Sequence, residues 1–194
     1  RGKLCQLGFF ATMELVKHVA KLMHDAGKMT FANGALFFLP CSAAYLDIMG
    51  CETRWLSGGK YRPLSRDTLF FWRAMCFQKP YVMLQNVNFD KFTTQMVEWY
   101  FDRSWAMGMF PGMFSPEAST RSSYWVNPKL YNRDRHLFRR YIPVIKRLAA
   151  AGWQPITLAR SSSKDIWVER FGGGRDVYFT VFNAGNRAVT GQIQ

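Results

Sequence analysis

Two short apolar runs in the first third of the chain each end in polar residues that could do chemistry. The first, Met29–Ala32, is followed by Asn33, and the second, Leu46–Cys51, is followed by Glu52. Buried parallel strands are short and apolar, and functional groups lie just past their carboxyl ends. A general acid that works near neutral pH needs a partly apolar surrounding, which Trp55 would supply. Glu52 is therefore the candidate catalytic residue.

Length and composition indicate a globular protein with a real core. The chain has 194 residues, of which 48% are hydrophobic and 16% aromatic, and such a composition excludes a disordered chain. No apolar run approaches the roughly 20 residues that cross a bilayer, so no membrane association is predicted. The four cysteines form no C-x-x-C pair, and no P-loop pattern surrounds Gly58-Gly59. We therefore predict no metal and no cofactor.

The net charge of +13 favours polyanions in general. Many of the basic residues fall on one amphipathic helix, where the apolar residues between them are spaced as a core stripe. A nucleic-acid groove usually interleaves aromatic residues or glycines with basic ones on an exposed surface. The pattern therefore favours a solvated helix face and no nucleic-acid partner. The basic residues concerned are Arg133, Arg135, Arg139, Arg140, Lys146 and Arg147.

Helical and strand periodicities alternate over the first three quarters of the chain. They predict helices at Thr12–Ala26, from Ser65 to about Gln78, at Phe92–Ser104 and at Asn132–Ala151. The expected N-cap residues are Thr12, Ser65 and Asn132. Gly152 is expected to end the last helix, and Pro143 is expected to kink it. The apolar runs between the helices predict a single parallel sheet of four strands, Met29–Ala32, Leu46–Cys51, Tyr81–Leu84 and Trp105–Met109. Ser115–Pro128 is expected to be a long functional loop.

After Gly152 the hydrophobic period changes from that of a helix to that of strands. Ile166–Phe171 and Val177–Asn183 alternate around a glycine turn, and Ala188–Ile193 is a candidate third strand. Antiparallel strands joined by short turns predict a separate small domain.

The amino-acid sequences of several segments resemble those of a known family. FANGALFFLPCSAAYLDIMGCETRW, KPYVMLQNVNFD and AMGMFPGMFS look like consecutive barrel strands with polar tips, and RHLFRRYIPVIKRLAAAGWQPIT with WVERFGGGRDVYFTVFN looks like a passage from barrel to sandwich. Together they resemble the C-terminal half of a glycoside hydrolase (β/α)8 domain, with the alpha-galactosidase-like clan most similar. The resemblance implies an α/β fold in which residues 1–158 are part of a TIM barrel. Residues 159–194 would then begin an appended antiparallel β-sandwich.

The resemblance also implies roles for single residues. If the strands are barrel strands five to eight, Glu52 ends the sixth, where the alpha-galactosidase-like enzymes have their acid/base. Their nucleophile ends the fourth strand, which would lie upstream of Arg1. In the other large barrel group the nucleophile ends the seventh strand, but here that strand ends in Gln85 and Asn86, which are not carboxylates. We therefore expect a piece of a glycosidase that is inactive and poorly stable by itself.

A carbohydrate substrate would need hydroxyl-binding amides and aromatic rings beside the carboxylate. Each candidate has a structural alternative: turn residues for the amides, core residues for the rings, a buried hydrogen-bonded group for Asp47, and a surface ion pair between Glu52 and Arg54. A non-catalytic carbohydrate- or polyanion-binding protein also stays open. The candidate binding residues are Asn33, Asp47, Arg54, Trp55, Asn86, Asn88, Phe114 and Trp125.

Overall fold

The structure, a computed structural model, describes residues 8–34, 40–76, 78–114 and 124–194. The α-helices of these ranges are α1 (Gly8–Asp25), α2 (Arg66–Met75), α3 (Thr94–Ala106) and α4 (Pro128–Ala151). The strands are β1 (Phe31–Asn33), β2 (Ile48–Thr53), β3 (Leu56–Ser57), β4 (Lys60–Tyr61), β5 (Tyr81–Asn86), β6 (Phe110–Phe114), β7 (Trp153–Gln154), β8 (Ile166–Phe171) and β9 (Tyr178–Asn183). Most of the predicted loop Ser115–Pro128 lies outside the described residues.

A parallel sheet of four strands forms the centre of the fold. Its order is β1-β2-β5-β6, so the strands follow one another across the sheet as they do along the chain. Helix α2 separates β2 from β5, and α3 separates β5 from β6, which is the repeating unit of α/β proteins. The predicted α/β class and the single parallel sheet of four strands are confirmed. The half-barrel stays a prediction.

The two faces of this sheet differ in burial, as the alternation of side chains requires. One face belongs to the main core together with residues of α2, α3 and α4. The opposite face is half-buried or exposed. Residues on the buried face include Met49, Cys51, Tyr81, Met83 and Met113, and residues on the open face include Asn33, Glu52, Leu84, Asn86 and Phe114.

Tyr100 of α3 ties two neighbouring strands of the sheet together from the buried face. Its hydroxyl has the carbonyl oxygens of Met83 in β5 and Gly112 in β6, the latter at 3.1 Å, within reach of its one proton, and it accepts from the Gly112 amide at 3.0 Å. A buried hydroxyl that serves both strands fixes how they lie against the helix.

The last parallel strand does not lie where the sequence predicted it. Trp105 belongs to α3, and the strand is Phe110–Phe114 instead of Trp105–Met109. The helix ends because Gly108 adopts a φ of +62°, and the Met109 amide then donates back to the Ser104 carbonyl at 2.8 Å. One apolar run crosses both the end of the helix and the turn, so hydrophobicity alone misplaced the boundary.

The helix starts were predicted with mixed success. Ser65 does cap α2, since its hydroxyl accepts from the Thr68 amide at 3.2 Å. Asn132 as a cap is wrong, because α4 begins earlier, with Asn127 as cap and Pro128 as its first residue. Thr12 as a cap is also wrong: it lies inside α1 and its hydroxyl donates to the Gly8 carbonyl at 2.9 Å.

The antiparallel sheet has the order β7-β8-β9. The predicted pairing of Ile166–Phe171 with the strand ending at Asn183 is confirmed. The predicted third strand at Ala188–Ile193 is wrong, since only Ile193 forms an isolated bridge, with Ser161. Trp153–Gln154, directly after α4, supplies the third strand. The sheet therefore begins before residue 158, and the division into domains and the β-sandwich stay predictions.

The basic residues of α4 lie mostly on its solvent side. Exposed members are Arg135, Arg139, Arg140, Lys146 and Arg147. Arg133 differs, since it forms an ion pair with the buried Asp134 at 2.7 Å. The predicted solvated face is confirmed for the exposed residues. None of the described helices combines the length and apolar character that a bilayer span requires.

A buried carboxylate joins the antiparallel sheet to α2. Glu169 of β8 is fully buried, accepts from the Arg66 guanidinium at 2.7 Å and accepts from the Trp153 indole at 3.1 Å. Burial raises the pKa of Glu169, and the Arg66 charge opposes that rise. The pair therefore supports the docking of the sheet as long as Arg66 is present.

Replacing Arg66 should leave Glu169 as a buried charge without a partner. We expect Arg66→Met to lower the free energy of unfolding by about 3 kcal/mol near neutral pH, measured by chemical denaturation. A carboxyl whose folded pKa exceeds its unfolded value costs stability at higher pH, and protonation relieves that cost. The loss in the free energy of unfolding should therefore become smaller as the pH falls towards 4.5, the ordinary pKa of a glutamate side chain.

The matched control is Arg62→Met, because Arg62 is an exposed arginine that lies shortly before Arg66 in the chain. Its effect should be small and independent of pH. An Arg66→Met deficit that is constant across this pH range would contradict the assigned interaction.

Candidate active site

Glu52 lies on the open face of the parallel sheet between two side-chain amides. The Asn33 amide nitrogen donates to Glu52 Oε1 at 2.7 Å, and the Asn86 amide nitrogen donates to Glu52 Oε2 at 2.8 Å. Each carboxylate oxygen thus accepts one hydrogen bond from a different neighbouring strand. We call these three residues the Glu52 cluster.

The register of the sheet explains why the three side chains meet. Asn33 is paired with Gly50 of β2, and Glu52 is paired with Leu84 of β5. Asn33, Glu52 and Asn86 therefore fall on the same face, near the carboxyl ends of β1, β2 and β5. The sequence placed Glu52 just past its strand, but β2 continues to Thr53, so Glu52 is its fifth residue.

Two exposed aromatic side chains lie at the neighbouring strand. Phe114, the last residue of β6, pairs with Asn86 and is 38% exposed. Trp125 is 56% exposed, and its indole nitrogen donates to the Met113 carbonyl at 2.9 Å. Phe114 therefore places apolar ring surface next to Asn86, whereas the Trp125 ring, at the end of the same strand, packs against Tyr124 and Phe138.

The cluster can present an oriented carboxylate to a bound molecule. Glu52 is exposed, and the two amides restrict how its carboxylate turns. The buried Oδ1 of Asn86 has no hydrogen-bond partner among the described residues. A flip of that amide would offer Oδ1 as acceptor to a protonated Glu52, so the same residue can serve both protonation states.

A surface ion pair does not account for Glu52. Arg54 is exposed, and the ion pairs of the described ranges include none between Glu52 and Arg54. The interpretation of Glu52 as a surface partner of Arg54 is therefore wrong for this structure.

Trp55 is not available to stack on a ligand, contrary to the prediction. Its side chain is 1% exposed, and its ring packs edge-on against Tyr100 with a centroid distance of 5.2 Å. Its backbone amide donates to the side chain of the buried Gln85 at 2.9 Å. Gln85 is thus a positioning residue that sequence reasoning missed, although the alternation of β5 places it on the buried face.

Asp47 lies at the opposite edge of the sheet from the Glu52 cluster. It precedes β2 and accepts from the Thr30 amide at 2.7 Å and from the Thr30 hydroxyl at 2.8 Å. His24 lies 2.8 Å from the same carboxylate oxygen, and this contact above all lowers the pKa of Asp47 to about 2. Asp47 thus joins α1 to the amino ends of β1 and β2, which matches the alternative interpretation of Asp47 as a hydrogen-bonded structural residue; a role in substrate binding stays a prediction.

Asn88 is exposed after the end of β5, where its side chain accepts from the Asp90 amide at 3.0 Å. This contact is an Asx turn, which fits the alternative interpretation of Asn88 as a turn residue. Among the described residues, no group of three or more His, Cys, Asp or Glu side chains is arranged to hold a metal ion.

No protein-family model, curated protein or solved structure matches this chain. Function is therefore inferred from the residues of the Glu52 cluster and their surroundings.

A structural role for Asp47 predicts an effect on stability that depends on pH. Asp47→Asn should lower the free energy of unfolding by about 1 kcal/mol or less near neutral pH, because the pair with His24 is partly exposed. A carboxyl group whose pKa is lower in the folded than in the unfolded state stabilises the fold at any pH above its unfolded pKa. The difference in stability between Asp47→Asn and the parent should therefore disappear as the pH falls from about 4 towards 2. Denaturant titrations of both proteins at several pH values test this, and a variant more stable than the parent would contradict it.

Proposed function

We propose that this chain belongs to a glycoside hydrolase and supplies its general acid/base, Glu52. The observation that carries the proposal is the Glu52 carboxylate held between Asn33 and Asn86 at the carboxyl edge of a parallel sheet. Active sites of α/β proteins with parallel sheets lie at this edge. The resemblance of the chain to barrel hydrolases supports the same role.

Hydrolysis of an O-glycosidic bond needs two carboxyl groups with different tasks. Protonated Glu52 would give its proton to the glycosidic oxygen as the bond to the sugar breaks. The resulting carboxylate would then take a proton from the water that attacks the anomeric carbon. The second carboxyl group, which by the resemblance would end barrel strand four, would attack the anomeric carbon as the leaving group departs and would itself be displaced by the water.

The neighbours of Glu52 suit this cycle. Asn33 and Asn86 are positioning residues, since they hold the carboxylate and do not themselves transfer a proton. Phe114 and Trp125 provide exposed ring faces at the same edge, and the C–H-rich face of a sugar packs well on such rings. A carbohydrate is therefore the ligand class that fits both the polar and the apolar parts of the site.

The decisive variant is Glu52→Gln in the full-length gene product. A substrate with a poor leaving group needs the proton, so its kcat/KM should fall by roughly 100- to 10,000-fold, the usual contribution of general acid catalysis. An activated aryl glycoside leaves without that proton, so its bond-cleavage step should lose much less. Steady-state kinetics on both substrates, with single-turnover measurement of cleavage, give the comparison.

Glu14→Gln is the matched control, because Glu14 is an exposed glutamate on α1; it should leave both substrates unaffected. Equal and small losses on both substrates in Glu52→Gln would remove Glu52 from the mechanism. If the parent protein itself binds the carbohydrate but does not hydrolyse it, the result would instead favour a non-catalytic carbohydrate-binding protein.

A further inference from the structure

A second cavity lies away from the Glu52 cluster, where α3, the β3–β4 hairpin and the end of β9 meet. Its volume is about 600 Å³, within the range of about 300–1,000 Å³ that small-molecule sites occupy. None of its lining residues belongs to the Glu52 cluster. The residues that matter for its chemistry are Tyr61, Trp99, Asp102, Arg103, Phe182 and Arg187.

Arg103 is held in this cavity by aromatic rings and not by an acid. Its guanidinium carbon lies 5.9 Å from the ring centroid of Tyr61, 6.0 Å from that of Trp167 and 5.5 Å from that of Phe182. Its Nη2 makes one long hydrogen bond, 3.4 Å, to the Ala184 carbonyl. The ion pairs of the described residues do not include Arg103. The rings fix the direction of the Arg103 charge, and Asp102, which lines the same wall, interacts with that charge electrostatically.

Tyr61 and Arg103 interact with each other in the wall of the cavity. Burial raises the pKa of Tyr61, and the charge of Arg103 and a hydrogen bond from its side chain oppose that rise. The Tyr61 hydroxyl oxygen and Arg103 Nε are buried, so they form the wall and are not themselves open to a ligand.

Hydrogen bonds fix the backbone of the turn that carries Arg187 at the rim of the cavity. In the turn after β9, the Asn183 side chain accepts from the Gly185 amide at 3.0 Å and donates to the Arg187 carbonyl at 2.8 Å. The Ala184 amide in the same turn donates to the Asp165 carbonyl at 2.8 Å. A turn fixed in this way loses little conformational freedom when a ligand binds.

We propose that this cavity binds a carboxylate-bearing sugar unit of an acidic glycan. The carboxylate would accept hydrogen bonds from Arg103 and Arg187, since guanidinium groups match carboxylates in shape and charge. A sugar face would lie on Trp99, which is 41% exposed. The net charge of +13 favours an acidic polymer over a neutral one.

The wall of the cavity carries a negative charge beside its two arginines. Asp102 lines the same wall, with its carboxylate accepting from the Tyr141 hydroxyl at 2.5 Å. A singly charged sugar carboxylate is repelled by Asp102 less than a doubly charged phosphate is. A neutral sugar would bring no charge to pair with Arg103 or Arg187. The choice of a glycan rests on the proposed function, whereas the anionic character of the ligand rests on the cavity alone.

Calorimetric titration of the full-length gene product with a short oligogalacturonate tests the proposal. The parent protein should bind it, whereas the neutral galactose oligomer of equal length should bind at least about 10-fold more weakly. Arg187→Ala should weaken oligogalacturonate binding by about 10-fold or more, because a charged hydrogen bond is lost. Arg187 is exposed, so this variant should keep the melting temperature of the parent.

Two further variants separate this site from the Glu52 cluster. Arg175→Ala, in the exposed turn between β8 and β9, should bind like the parent. Glu52→Gln should also bind like the parent even if it abolishes turnover, so failure of one proposal can be told from failure of the other. The proposal is overturned if Arg187→Ala binds normally, if the neutral oligomer binds equally well, if only Glu52→Gln prevents binding, or if equimolar inorganic phosphate displaces the glycan.

Discussion

The candidate site depends on the parallel register of β1, β2 and β5. Asn33, Glu52 and Asn86 come from separate strands, and they can form two hydrogen bonds only if all three face the same side. A slip of one residue in any strand would turn its side chain to the buried face. The large apolar residues of that buried face prevent such a slip, because it would expose Met49 or Met83 and bury polar groups.

The helices behind the sheet hold this register from the other side. Tyr100 reaches β5 and β6 with one hydroxyl, and Gln85 holds the backbone of Trp55 after β2 ends. The antiparallel sheet is attached through Glu169 and its partners, and through Thr180, whose hydroxyl donates to the Ala106 carbonyl at 2.6 Å. The second cavity therefore depends on the docking of this sheet against α3, whereas the Glu52 cluster depends only on the parallel sheet.

The sequence predicted much of the fold because local signals and tertiary structure agree in many elements. Ser65 before α2 and Gly152 after α4 act as their residue types suggest. The strand predicted at Trp105 was misplaced because one apolar run covers both the end of α3 and the start of β6. The start of α4 was misplaced because Asn127, before Pro128, caps the helix earlier than Asn132 could. Asn33, Glu52 and Asn86 could each be named from their places at strand ends, but their mutual hydrogen bonds follow from the register, which no single segment encodes. Asp47 and Trp55 lie away from the Glu52 cluster, because nearness in sequence to Glu52 does not fix the edge or the face on which a side chain lies.

The central claim is that the Glu52 carboxylate, held by Asn33 and Asn86, meets the glycosidic oxygen of a bound sugar. A crystal structure of the full-length gene product with a non-hydrolysable thio-linked oligosaccharide tests this most directly. The account predicts the linking sulfur, in the place of the glycosidic oxygen, in hydrogen-bond reach of one Glu52 oxygen, with both amides still at the carboxylate and a sugar ring over Phe114 or Trp125. A ligand bound elsewhere, with no contact to Glu52, or a Glu52 side chain that points away from Asn33 and Asn86, would contradict it.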